Sequence, residues 1–102
     1  MLPKGTHCTR IINVKYFSWS NEKNDLLKRE RNVSFEEVLF YIMQGHLLDI
    51  LEHPNQERYA SQRILVVNID NYAYLVPFAE SEHEVFLKTI IPSRKATKQY
   101  LR

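Results

Sequence analysis

The chain of 102 residues has a single cysteine, Cys8, which excludes an internal disulfide. Its four histidines, His7, His46, His53 and His83, are scattered. They form no local pair such as HxxxH and no Cys/His spacing that would suggest zinc, so neither a metal nor a cofactor is expected. Glycine and proline are scarce, at two and four residues, and no linker, repeat or low-complexity tract is visible. No apolar run approaches the roughly 20 residues that a membrane-spanning helix requires. The N-terminus, MLPKGTHCTRIINVKYF, lacks the compact apolar core and small-residue cleavage site of a signal peptide. A cytoplasmic location without membrane contact is therefore expected. Charge of one sign is also lacking: 14 Lys and Arg against 12 Asp and Glu leave a net charge of +2. That balance does not announce a polyanion partner, so any case for nucleic-acid binding has to be local.

What the chain does contain is a folding composition, 44% hydrophobic and 25% charged, long enough for one domain with a modest core. Residues 1–9 read as a poorly ordered lead-in, and Arg10–Trp19, β-branched and aromatic, as a strand. Ser20 is placed to cap a short charged helix that Asn32 can end in the left-handed conformation. A second helix opens on a capping box, Ser34 with Glu37. Phe35, Val38, Leu39, Ile42 and Met43 recur along it at the spacing of one apolar face, and Gly45 stops it. This face is expected to pack in the core, as are Phe17 and Trp19, although aromatic rings can also stack on bases.

Strands follow. His46–His53 is a short apolar run, and Arg63–Asp70 pairs with Tyr72–Glu80 through a tight turn at Asp70-Asn71. Val85–Ser93 reads as one further strand of an antiparallel meander. Pro77 argues for an edge position or a bulge. Near-continuous hydrophobicity implies that both sheet faces are at least partly covered. The basic segment RKATKQYLR closes the chain as a short helix or tail. The expected order is β-α-α-β-β-β-β-α, an α+β unit.

The stretch FSWSNEKNDLLKRERNVSFEEV resembles the opening signature of the BrnT family of type II toxins: an aromatic-x-Trp pair, a charged helix, a basic turn, then Val-Ser-Phe-Glu-Glu. The closing IIPSRKAT resembles that family's Ile-Ile-Ser-Ala-Arg-Lys-Ala-Thr ending, and QRILVVNI stands where the family places Glu-Arg and an apolar strand. The resemblance spans roughly residues 16–98, so residues 1–14 look like an extension of a single BrnT-like domain 1–102. Translation is then expected to start near Val14; a native mass that includes Met1 or Leu2 would contradict this.

The resemblance implies a RelE-like antiparallel sheet with the two N-terminal helices packed on one face and a short C-terminal basic helix. It further implies a metal-independent endoribonuclease, silenced by a BrnA-like antitoxin whose DNA-binding segment carries the hetero-oligomer to operator DNA. Two departures stand out. Glu30-Arg31-Asn32 replaces a Lys-His-Gly turn, and Thr89 takes the place of an arginine ahead of the Ile-Ile pair, with Lys88 one residue away.

Metal-free RNA cleavage needs a base for the 2′-hydroxyl, cations for the phosphorane oxygens and an acid for the leaving oxygen. Arg63 and Arg94 occupy family motif positions, and the arginine fork suits phosphate, so both are candidate catalytic contacts. His53, at a strand end beside the loop leading to Arg63, is the candidate base or acid, because imidazole titrates near neutral pH. Glu57 and Tyr59 of that loop are further candidates, Tyr59 as an RNA contact. Lys95 follows Arg94 and either completes an anion site or solvates the helix. Lys88 groups with Arg94 if the strand alternates regularly through residues 88, 90, 92 and 94.

Two other readings of the chain stay open. One is a catalytically weakened RelE-fold module that docks an acidic partner or RNA. The other, a stand-alone RNA-binding domain, lacks the RNA-recognition and KH signatures.

Overall fold

The computed structural model describes residues 16–52, 54–55, 57–58 and 62–102. The lead-in, the first residues of the expected opening strand, His53 and Tyr59 lie outside the described residues. Along the chain run β1 (Tyr16–Ser18), α1 (Asn21–Arg31), α2 (Phe35–Met43), β2 (Leu47–Glu52), β3 (Gln62–Ile69), β4 (Tyr72–Glu80), β5 (Glu84–Leu87), β6 (Ile91–Pro92) and α3 (Arg94–Leu101). The strands form an open sheet in the order β1-β5-β4-β3-β2, with β6 continuing the β5 side of β4. The molecule is thus α+β with three helices among the described residues.

Local chemistry sets the helix ends. Ser20 accepts the Lys23 N–H at 3.2 Å to cap α1, and Asn32 closes it at φ 57°. In α2 the Ser34 hydroxyl accepts the Glu37 N–H at 3.1 Å while the Glu37 carboxylate accepts the Ser34 N–H at 3.0 Å, a reciprocal capping box. Gly45, at φ 90°, terminates the helix in the left-handed region that glycine tolerates. Phe35, Val38 and Leu39 are buried and Ile42 is half-buried against the core, but Met43, expected on the same face, is 63% exposed at the end of the helix.

Between β3 and β4, Asp70 and Asn71 both take positive φ, 53° and 66°, the pattern of a type I′ hairpin turn. Alternation along this hairpin gives the sheet two unlike faces. Leu65, Val67 and Ile69 of β3, with Val76 and Phe78 of β4, join Leu27, Phe35, Val38 and Leu39 in the main core. Trp19 and Phe17 are buried there too, and the Trp19 ring stacks on Phe35 at 5.5 Å. On the opposite face Val66 and Ala73 are buried under Ala96 of α3 in a second, smaller cluster.

Two features differ from the expected meander. First, β1 pairs with β5 in parallel, Tyr16 opposite Glu84 through Ser18 opposite Phe86, so the sheet is mixed and not wholly antiparallel. Second, the expected strand Val85–Ser93 is two strands. Leu87 opposes Phe78, yet Ile91 opposes Leu75, so four steps along this strand answer three along β4. The surplus residue makes a bulge at Lys88–Ile90. Pro77 lies opposite it in a central strand: its carbonyl accepts the Lys88 N–H at 2.8 Å. Because a residue's N–H and C=O point the same way in a strand, the donor that proline lacks falls where the neighbouring ladder is already broken.

Candidate functional site

The C-terminal helix α3 is fastened to the sheet at both ends. The Ser93 hydroxyl caps it by accepting the Ala96 N–H at 3.0 Å, and the Ser93 N–H donates to the Ala73 carbonyl at 3.0 Å. The buried Thr97 hydroxyl accepts the Ala73 N–H at 2.9 Å and donates to the Ser93 carbonyl at 2.8 Å. At the far end the Tyr100 hydroxyl donates to the Asp49 carboxylate at 2.6 Å, and the Ile50 N–H donates to the same side chain at 2.8 Å. These two hydrogen bonds hold the Asp49 carboxyl below its ordinary pKa, and the bond to Asp49 raises that of Tyr100.

So anchored, α3 presents Arg94 and Lys95, both exposed, in a first turn that carries no acidic residue. Two cations at the positive end of a helix dipole oppose helix formation by about 0.3–1 kcal/mol each. The arrangement suits an anion better than it suits the helix.

Lys88 enters this face by an unexpected route. Regular alternation through residues 88, 90, 92 and 94 would place all four together, but the bulge shifts the register. Ile90 is buried in the main core, while Lys88 is exposed and falls on the α3 side with Ile91. The Arg31 guanidinium donates to the Ile90 carbonyl at 2.6 Å and secures the bulge from the other side. Lys88, Arg94 and Lys95 thus share a face of the molecule through the bulge and α3, and not through strand parity. Among the described residues no carboxylate pairs with any of the three.

Arg63 lies elsewhere. Its guanidinium donates to the Glu80 carboxylate at 2.5 Å and lies 5.4 Å from the centre of the Phe78 ring, a residue of the main core. Glu52 opposes it across the β2–β3 ladder. Arg63 therefore belongs to the α1/α2 side of the sheet, with its charge already matched, and is not brought together with Arg94. Glu57 is exposed in a turn.

A group of side chains that sequence reasoning passed over gathers at the β3–β4 turn. The Tyr41 hydroxyl donates to the Asp70 carboxylate at 3.0 Å, the Tyr41 ring meets His46 edge-on at 5.5 Å, and Tyr72 meets Tyr74 at 5.7 Å. Hydrogen bonding to Asp70 raises the Tyr41 pKa; burial, then Tyr72, Glu37 and Asp70, raise that of Tyr74. Both phenols stay protonated at neutral pH, and that of Tyr41 serves as a donor. Only the tyrosine richness of Tyr72-Ala73-Tyr74 hinted at this group, because Tyr41 and His46 come from a distant part of the chain.

Among the described residues no group of three or more His, Cys, Asp or Glu side chains is placed to hold a metal ion. No helix among them is long and apolar enough to cross a membrane. Compared with known proteins, the chain matches no family model, no curated protein and no solved structure.

Proposed function

We propose that this chain is the toxin of a type II toxin–antitoxin pair: a BrnT-like, RelE-like endoribonuclease that works without a metal and is neutralised by a BrnA-like antitoxin. One observation carries this reading. Three exposed cations without carboxylate partners among the described residues lie on the α3 side: Arg94 and Lys95 within Ile90–Thr97, which resembles the family's closing motif, and Lys88 two residues ahead of it.

Arg94 and Lys95 bind the scissile phosphate at the start of α3, and Lys88 neutralises a second oxygen as charge builds on the phosphorane. The 2′-oxygen attacks phosphorus as its proton passes to a base. The 5′-oxygen departs with a proton from an acid, leaving a 2′,3′-cyclic phosphate. His53 is the candidate for one of these proton transfers. Arg63, paired with Glu80, is left out of the phosphate set.

Inducible expression tests the proposal. Wild-type chain should arrest growth with loss of RNA, Arg94→Ala should abolish both, and co-expression with a short adjacent reading frame that encodes a DNA-binding partner should restore growth. RNA cleavage by purified protein should persist in EDTA; loss of cleavage there would contradict metal independence. The pairing of Arg63 with Glu80 favours a second reading, a catalytically weakened module that only binds. Full growth with intact RNA on wild-type expression would select it.

A further inference from the structure

The helix α3 has eight residues, so it is about 12 Å long. The nine-residue strand β4 beneath it runs about 30 Å. The helix crosses from β6 toward Asp49 of β2 and buries Val66 and Ala73; among the described residues no helix is placed over the other half of that sheet face, where Ile64, Pro77 and Ala79 are half-buried. That half is a register-matched apolar row: Leu51 opposes Ile64, Ile64 opposes Pro77, and Pro77 bonds to Lys88. One step along, Ala79 opposes Phe86. Leu51 is 37% exposed, Phe86 36% and Ile91 38%; Val85 and Leu87, which flank Phe86, and Ile90, which precedes Ile91, are buried on the main-core face, whereas Ile50 beside Leu51 is itself exposed.

The row from Leu51 to Lys88 spans about 14 Å at ordinary strand spacing, the width of one helix or one extended segment. Its rim is basic, with Lys88 at one end and Arg94 and Lys95 beside Ile91. The two acids that the strand register of the described residues places on this side are engaged: Asp49 accepts from Tyr100, and Glu84 accepts from the Ser18 hydroxyl.

We propose that this half-face docks an acidic, amphipathic segment of a partner protein, its apolar side chains on the Leu51–Ile64–Pro77 row and its carboxylates on Lys88, Arg94 and Lys95. The chemistry of the floor separates this occupant from others. Nucleic-acid interfaces are polar and strongly basic, and bases stack on aromatic rings, whereas this floor is aliphatic apart from Phe86. A second copy meeting this patch about a two-fold axis would set its cations against their own counterparts. The proposal deepens the toxin reading, since the partner covers the basic face proposed for RNA, but its test is independent of growth arrest.

The test is selection of random phage-displayed peptides on the immobilised full chain, followed by fluorescence anisotropy with the selected peptides. Enriched peptides should be acidic with apolar residues at helical or alternating spacing. Leu51→Glu and Phe86→Glu should each weaken binding about tenfold or more. Lys88→Glu, at an exposed position that does not threaten folding, should do the same, while Phe40→Glu on the outer surface of α2 should leave affinity unchanged; circular dichroism checks that each variant is folded. Peptides that are basic, that are insensitive to these substitutions, or that fail to enrich would overturn the proposal. So would a single-stranded RNA that binds through Leu51 and Phe86 and resists displacement by the peptides, or a dimer in gel filtration that Leu51→Glu dissolves.

Discussion

Asn24 ties the two N-terminal helices together through a single side chain. Buried at 3% exposure, it accepts the Phe35 N–H at 2.8 Å and donates to the Glu36 carboxylate at 2.8 Å. Truncation strands a buried backbone donor, so Asn24→Ala should cost about 2 kcal/mol in urea unfolding. Glu36 reports the same contact independently. Burial pushes its carboxyl up, but hydrogen bonds from Asn24 and its own backbone N–H, with Lys28 nearby, hold it below the ordinary value. In the variant its pKa should rise, as read by carbon NMR of the side chain. Residues of this kind separate what the sequence reveals from what it hides. Ser34, Glu37 and Asn32 announce their roles because a cap acts within one turn of its own chain. Asn24 gives no such sign, since its partners lie eleven and twelve residues away.

At the scale of elements, the β3–β4 turn and α3 carry the clearest expectations. Asn71 pays a left-handed strain that glycine avoids. Asn71→Gly should therefore raise stability by about 0.5 kcal/mol, and Asn71→Val should lower it by about 1 kcal/mol or more, measured by thermal melts. For α3 the pH dependence follows from the Asp49–Tyr100 pair. The depressed Asp49 pKa stabilises the folded chain above the ordinary carboxylate range, and that contribution is lost as pH falls through the folded value. The raised Tyr100 pKa acts at the other end: its contribution is complete below the ordinary phenol value and is lost as pH rises through the raised folded value. Amide exchange in α3 should thus be slowest between these limits once corrected for intrinsic rates, and Tyr100→Phe should flatten the profile.

The elements themselves were legible wherever pattern and punctuation agree, as in α2 and the Asp70-Asn71 hairpin. The break between β5 and β6 was not, because Phe86–Ile91 reads as one apolar strand. Its bulge is set by Pro77 across the ladder and by Arg31 from α1. Pro77 did carry half of that signal, as a residue that needs an edge or a bulge.

For the molecule as a whole, the α+β class was readable from the order of periodicities, and the doubly hydrophobic strands foretold cover on both faces. How that cover is divided was not readable. Two helices bury the middle of one face and α3 buries Val66 and Ala73 on the other, a consequence of helix length and crossing direction. The parallel β1–β5 pair was likewise hidden, since it joins strands 66 positions apart or more, as in Ser18 with Glu84. The same partition decides the candidate site. Strand parity grouped Lys88 with Arg94 for a reason the bulge removes, and the fold reunites them on the α3 side. Arg63, a motif match equal in weight to Arg94, is carried to the opposite face and balanced there by Glu80.

The central claim, that the α3 face and not the Arg63 face binds the scissile phosphate, is tested most directly by initial rates of cleavage of an end-labelled RNA by purified protein. The triple variant Lys88→Ala/Arg94→Ala/Lys95→Ala, folded by circular dichroism, should lose about a hundredfold or more in rate, while Arg63→Ala should stay within about threefold of wild type. A triple variant that cleaves normally, beside an Arg63→Ala that does not, would contradict the account.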